Sequence, residues 1–231
     1  MNNKQYRRIR LNSMNLLRSD GTYIESKYSI NNNENLGIVL SGIGYTLRNP
    51  LLYYSMHLLR ENNIDYFGVN FGYRDNVNYN KLDNESRNNY FNEDNKIIHD
   101  KILELSKNYK KLIFIGKSLG IGTIRHCIKN EVIKSKSKMV LLTPPGEVWE
   151  NFIDEIIKSN IKTLVIGSLL DKLYNVKNLS QIYGKDNIET YELKNGDHSL
   201  EINNTVEDIK QLGKIIQKIN KFIEKVNYEE I

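Results

Sequence analysis

The sequence is poorest in cysteine and in long apolar runs. Among its 231 residues only Cys127 carries a thiol, which excludes an intrachain disulfide and a cysteine metal cluster. Cys127 also falls on an apolar helical stripe with Ile124 and Ile128, the setting of a core side chain rather than of a nucleophile. No run approaches the length needed to span a bilayer. The opening MNNKQYRRIRLN lacks the apolar region of a secretion signal, so the expected compartment is the cytoplasm. Charge of one sign is never concentrated: 33 Lys+Arg are interleaved with 28 Asp+Glu, for a net +5. That describes a solvated surface, not a nucleic-acid-binding stripe. There is no internal repeat and no linker-like stretch. One domain over residues 1–231 is expected, long enough for a single substantial core.

What is present is globular in balance, with 39% hydrophobic and 26% charged residues. Tyr6–Leu11 and Thr22–Ile30 read as strands joined by an Asp20-Gly21 turn, the second with Ile24, Ser26, Tyr28 and Ile30 on one face. Leu36–Leu40 is a continuous apolar strand of the kind buried on both sides of a parallel sheet. Asn49-Pro50 opens a helix to about Glu61, with Asn as N-cap and Pro at the first position. Ile64–Asn70 is the next strand, and Phe71–Phe91 a long loop rich in Asn and Tyr. A helix over Asn92–Tyr109 places Ile98, Ile102, Leu105 and Tyr109 on one stripe. The strand Leu112–Ile115 leads through a turn into a helix reaching Val132. The strands Met139–Leu142, Thr163–Gly167 and Ile188–Leu193 follow, separated by helices at Glu147–Ser159 and Val176–Tyr183. The last helix begins at a capping box, Thr205–Asp208, with a stripe of Ile209, Leu212, Ile216, Ile219, Ile223 and Val226. Trp149 sits at helical spacing with Phe152, Ile153, Ile156 and Ile157, as a core residue would. This alternation implies an α/β protein: a mostly parallel sheet with helices on both faces and an antiparallel edge at the N-terminus.

The stretch that organises the chain is Lys111–Gly122, KLIFIGKSLGIG. It matches G-x-S-x-G between a buried strand and a helix, the context of a nucleophile elbow. In that turn strand and helix approach so closely that glycine is needed on either side of Ser118. The Ser118 hydroxyl is lifted clear of the strand, and the N–H of Leu119 is aimed at the same point. Two other motifs share these letters and fail. A P-loop would need glycine at Lys111, and a dinucleotide loop beginning at Gly42-Ile43-Gly44 would need one at Leu47.

In an open α/β sheet the site lies at the carboxyl ends of the strands. Two loops after Ser118 leave those ends with the right chemistry: Ser168-Leu169-Leu170-Asp171 and Lys194-Asn195-Gly196-Asp197-His198. A serine hydroxyl is a poor nucleophile until a base takes its proton. His198 is the candidate base, and Asp171 the candidate that holds its tautomer. Asp197 is expected to brace the histidine loop. Activity is expected to rise through roughly pH 6–8, as for a histidine near its usual pKa. His57, His99 and His126 lie in helices and read as surface or packing residues. Lys117 is expected to be exposed beside the serine.

The eight strands in this order, the elbow and the chain order Ser118, Asp171, His198 resemble the α/β-hydrolase superfamily. Within it the sequence is similar to small bacterial esterases and dienelactone-hydrolase-like proteins with a minimal lid. The Gly-Asp-His-Ser run looks like that family's histidine loop. The resemblance implies that the second oxyanion donor comes from the loop after Leu36–Leu40. Family members read His-Gly-x-Gly there; this chain reads Ser41-Gly42-Ile43-Gly44, which makes the N–H of Ile43 the candidate beside that of Leu119. Family members more often place the acid three residues after the glycine, and here Asp171 comes four after Gly167. The implied activity is hydrolysis of an ester, thioester or related acyl bond on a small molecule, with no cofactor and no metal. Acyl transfer to an alcohol and a non-catalytic hydrolase-fold binding module are the alternatives. Between Pro145 and Thr163 there is room for one helix only, so no cap domain is expected. Phe71–Phe91, with Tyr73, Arg74, Tyr79 and Tyr90, is the segment long enough to fold over the site.

Overall fold

The computed structural model describes residues 12–150, 152–174 and 180–228. Its frame is one eight-stranded sheet. The strands are β1 (Asn12–Leu17), β2 (Tyr23–Ser29), β3 (Asn35–Leu40), β4 (Asp65–Asn70), β5 (Lys111–Lys117), β6 (Ser137–Leu142), β7 (Thr163–Ser168) and β8 (Ile188–Leu193). Their order across the sheet is β1-β2-β4-β3-β5-β6-β7-β8. β1 pairs antiparallel with β2, and β2 with β4; all other pairs are parallel. The expected strand Tyr6–Leu11 lies outside the described residues; the first described strand is Asn12–Leu17. The Asp20-Gly21 turn that follows is held by hydrogen bonds from Arg18 N to Thr22 O and from Gly21 N to Arg18 O.

The central strands are buried on both faces because successive side chains point to opposite sides. Leu36, Ile38, Leu40, Leu112, Phe114, Met139 and Leu141 pack with Ile98 and Ile102 of α3 (Asn84–Ser106), Ile124 of α4 (Gly120–Cys127) and Ile156 of α7 (Ile153–Ser159). Val39, Ile113, Ile115, Val140 and Leu142 pack on the other face, against α1 (Pro50–Glu61) and α8 (Thr205–Tyr228). Cys127 is part of the first core, and burial pushes its thiol pKa up.

Several elements differ from expectation for local reasons. The Phe71–Phe91 segment is largely helical: a 3₁₀ turn at Tyr73–Asp75, a short α2 (Val77–Asn80), then α3, which starts at Asn84. Asp83 caps α3 by accepting from Ser86 N, so the helix gains two polar turns that show no apolar stripe. Tyr73 is fully buried, stacks on Tyr79 at 4.2 Å and donates to Asp94. Asp94 also forms a buried ion pair with Arg18 at 2.8 Å, tying the β1–β2 turn to α3. Asn49 is the N-cap residue of α1, with Pro50 at its first position as expected, but its side chain makes no capping bond; its Oδ1 accepts instead from Thr46 N and Oγ1. The helix after the elbow stops at Cys127, and Asn130 caps a separate α5 (Glu131–Lys134). The expected Glu147–Ser159 helix is two, α6 (Gly146–Glu150) and α7, and the side chain of Trp149 is outside the described residues. Half of the expected Val176–Tyr183 helix, residues 176–179, lies outside the described residues, and the other half, 180–183, is turn. The cap of α8 is Asn204, whose Oδ1 accepts from Glu207 N, while Asp208 accepts from Ile202 N instead. The buried stripe of α8 is Ile215, Ile219, Phe222 and Ile223, with Leu212 and Ile216 partly buried and Ile209 65% exposed; the side chain of Val226 is outside the description.

Candidate active site

The order of the sheet reverses at β3: β4 lies on one side of it and β5 on the other. That leaves a crevice at the carboxyl ends of β3 and β5, where an open α/β sheet binds its ligand. Ser118 stands there, between β5 and α4. Its backbone is left-handed, with φ of 51°, a conformation that costs free energy for a residue other than glycine. The neighbouring elements hold it so: Ser118 N donates to Leu142 O, and Ile121 N donates to Ser118 O. Two glycines allow the approach. A Cβ at Gly116 would lie 2.6 Å from Ile124 Cδ1, and one at Gly120 would lie 2.7 Å from the carbonyl oxygens of Leu40 and Ser41.

Asp171 and His198 reach the same point from β7 and β8. His198 Nδ1 is 2.7 Å from Asp171 Oδ2, and His198 Nε2 is 2.9 Å from Ser118 Oγ. A carboxylate at Nδ1 assigns the proton there and leaves Nε2 to accept from the hydroxyl. The Asp171 side chain is 2% exposed and that of His198 29%. The second carboxylate oxygen of Asp171 accepts from Leu173 N at 2.9 Å. The extra residue between Gly167 and Asp171 is taken up in a turn, closed by Asp171 N donating to Ser168 O. Ser168 Oγ then donates to Gly196 O, joining the acid loop to the histidine loop. Asp197 braces that loop from within, its Oδ1 accepting from Ser199 N and Glu201 N. Burial, and then the charge of Lys117, hold the His198 pKa below the ordinary histidine value, against the opposing pull of Asp171.

The loop after β3 stands beside the serine. A Cβ at Gly42 would lie 3.5 Å from Ser118 Cβ. The loop turns back on itself where Gly42 N donates to Tyr45 O. Ser41, at the place of the family's usual histidine, is buried and accepts from Phe71 N, so it still supports the loop. Among the described residues the N–H groups of Ile43 and Leu119 donate no hydrogen bond. Arg74 approaches this loop: its Nη1 lies 3.5 Å from where a Cβ of Gly44 would be.

Lys117 departs most from expectation. It is not exposed beside the serine but fully buried beneath it. Its Nζ donates to Thr143 Oγ1 and, at 2.7 Å, to the main-chain oxygen of His198. The signal was its position at the end of β5, a strand whose interior offers no polar face. Thr143 and Tyr45 were not singled out in the sequence because nothing in their spacing marks them.

Residues 36–225 match the model of the α/β-hydrolase domain family. The chain belongs to the α/β-hydrolase family. No curated protein sequence matches it, whereas solved structures of the same fold are numerous. A protein of unknown function from Agrobacterium tumefaciens superposes with a TM-score of 0.67 at 13% identity, over 94% of this chain and 98% of its own. A serine hydrolase without a lid from Xanthomonas campestris gives 0.64 at 11%, over 95% and 96%. An esterase from Pyrococcus furiosus gives 0.62 at 13%, over 93% and 92%. At such identities these likenesses establish the shared hydrolase fold. Among the described residues no helix is long and apolar enough to cross a membrane.

Proposed function

We propose that this α/β-hydrolase chain, working as a single domain over residues 1–231, is a serine hydrolase. It cleaves a carboxylic ester, thioester or related acyl bond of a small molecule through an acyl-enzyme. The observation that carries the reading is the unbroken hydrogen-bond chain from Asp171 through His198 to Ser118, with steps of 2.7 and 2.9 Å. Such a chain moves a proton where a nucleophile needs it. Ser118 Oγ attacks the acyl carbon as its proton passes to His198 Nε2. Asp171 stabilises the imidazolium, which then protonates the departing alcohol or thiol. Water enters, His198 takes its proton, and the acid is released with Ser118 restored. The N–H groups of Leu119 and Ile43, without partners among the described residues, are the donors for the oxyanion, a role that needs only backbone.

The test is covalent labelling with a fluorophosphonate and turnover of short activated esters and thioesters. Wild type is expected to be labelled at Ser118 and to turn over the esters. Ser118→Ala is expected to lose labelling and on the order of 10⁶ in kcat. Labelling elsewhere, or full activity in the Ala variant, refutes the proposal.

A further inference from the structure

Lys117 occupies the second position of the elbow motif, and no part of it reaches solvent. A buried ammonium is costly unless its hydrogens find acceptors. Here they find two, from different strand ends. Thr143 Oγ1 follows β6, and the carbonyl of His198 lies in the loop after β8. The Tyr45 ring, from the loop after β3, lies 5.3 Å from Nζ. One side chain on β5 therefore meets three of the loops that build the site. The charged groups facing it are Asp171 after β7, and Asp197 and His198 after β8; Glu201 acts on Tyr45.

We propose that Lys117 is a positioning residue: it anchors the main chain of His198 under Ser118 and keeps the imidazole neutral. Asp171 grips the ring at Nδ1 and Lys117 grips the backbone of the same residue, so the path of Nε2 toward Ser118 Oγ is fixed at two points. The charge acts separately. An ammonium close to the ring opposes a second positive charge, so the proton-accepting form of His198 persists to lower pH. The same ammonium also opposes the imidazolium formed during proton transfer, an opposition Asp171 offsets. Burial lowers the Lys117 pKa to about 7, against Asp171 and Asp197. Once discharged, the amine still carries hydrogens for Thr143 and His198, so the anchor holds while the opposition is gone. Activity then rises in two steps, one as His198 loses its proton and one as Lys117 does.

The kinetic part of this inference rests on the hydrolase reading; the titration part does not. The variant is Lys117→Met, which keeps the length and apolar stem and removes the donors and the charge. The four histidines are followed by NMR, with His198 assigned against His198→Asn. In Lys117→Met the His198 midpoint is expected to move to higher pH. For an activated ester, kcat is expected to fall about a hundredfold, the scale of a small misplacement of a reacting group. KM is expected to stay within about twofold, and the two-step pH profile to become one step. An unchanged His198 midpoint or unchanged kcat in a folded variant overturns the proposal. If Lys117→Met does not fold, the wild-type titration decides: a His198 midpoint at or above about 6.5, the ordinary value, overturns it. If wild type neither turns over esters nor labels at Ser118, the hydrolase reading fails, and the two His198 midpoints still decide whether Lys117 sets the imidazole.

Discussion

The Asp171 carboxylate is divided between two jobs, with Oδ2 on the imidazole and Oδ1 on Leu173 N–H. Asparagine there can satisfy one of them but offers His198 the wrong partner for its Nδ1 proton. Under the proposed roles Asp171→Asn is expected to lower kcat by about 10⁴, with the melting temperature little changed. Asp197→Asn is the contrast. Its carboxylate accepts only backbone N–H groups of its own loop, so the loss is expected mainly in melting temperature. A large rate loss confined to Asp197→Asn at unchanged melting temperature reverses the assignment. His198 also carries a pH prediction. In the proposed role the base is the neutral imidazole, so activity is expected to be lost as pH falls through its folded-state pKa. Burial and Lys117 lower that pKa, which moves the acid limb of kcat/KM below the roughly pH 6–8 expected of an ordinary histidine. A limb centred above about 7 in wild type contradicts this. The three residues were legible because each lies after a strand, at its carboxyl end: β5 and β7, which are buried, and β8, which is partly buried. Lys117 was misread because a charged side chain beside a nucleophile suggests solvent, whereas the end of β5 is enclosed on every side.

Elements were legible where burial on both faces leaves continuous apolar runs, as in β3, β5, β6 and β7. They were obscured where polar residues do the work. Residues Asn84–Phe91 extend α3 through an Asp83 cap and a Tyr73–Asp94 hydrogen bond, neither of which has an apolar period. The elbow is the element whose sequence is most constrained, and glycine substitutions test that directly. Gly120→Ala would put its Cβ 2.7 Å from two carbonyl oxygens, which are backbone and cannot rotate away. The expected cost is about 1–3 kcal/mol of stability, together with a fall in kcat, because Leu40 and Ser41 lead into the loop proposed to supply an oxyanion donor. Gly213→Ala is the same change in the interior of α8, where a Cβ would meet nothing within 4 Å. It is expected to stabilise by about 0.5–1 kcal/mol. Chemical denaturation of both variants checks the opposite signs; equal effects would mean that the elbow is not tightly closed.

On the scale of the whole molecule, the antiparallel edge and the site are secured by different means. The edge relies on Arg18 and Asp94, whose side chains are 4% and 1% exposed. Asp94→Asn leaves a buried guanidinium without its counter-charge and is expected to cost about 3–5 kcal/mol, measured by denaturation. The site instead sits over the open carboxyl end of the sheet. Between β6 and β7 the described residues hold two short helices, α6 and α7. Apolar side chains of the loops that carry the site are left partly in water: Ile43 is 48% exposed, and Leu169, Leu170 and Leu173, flanking Asp171, are 42%, 66% and 54% exposed. An acyl chain entering there can rest on these side chains but is not enclosed by them. A fully buried methylene is worth about 0.8 kcal/mol, or about fourfold in kcat/KM. That gain needs water removed from all sides of the chain, and an open rim removes it from one. The series from acetyl to dodecanoyl esters is therefore expected to rise over the first few carbons and then level off or fall. A fourfold gain per methylene sustained to long chains would reveal a deep apolar tunnel and refute the open site.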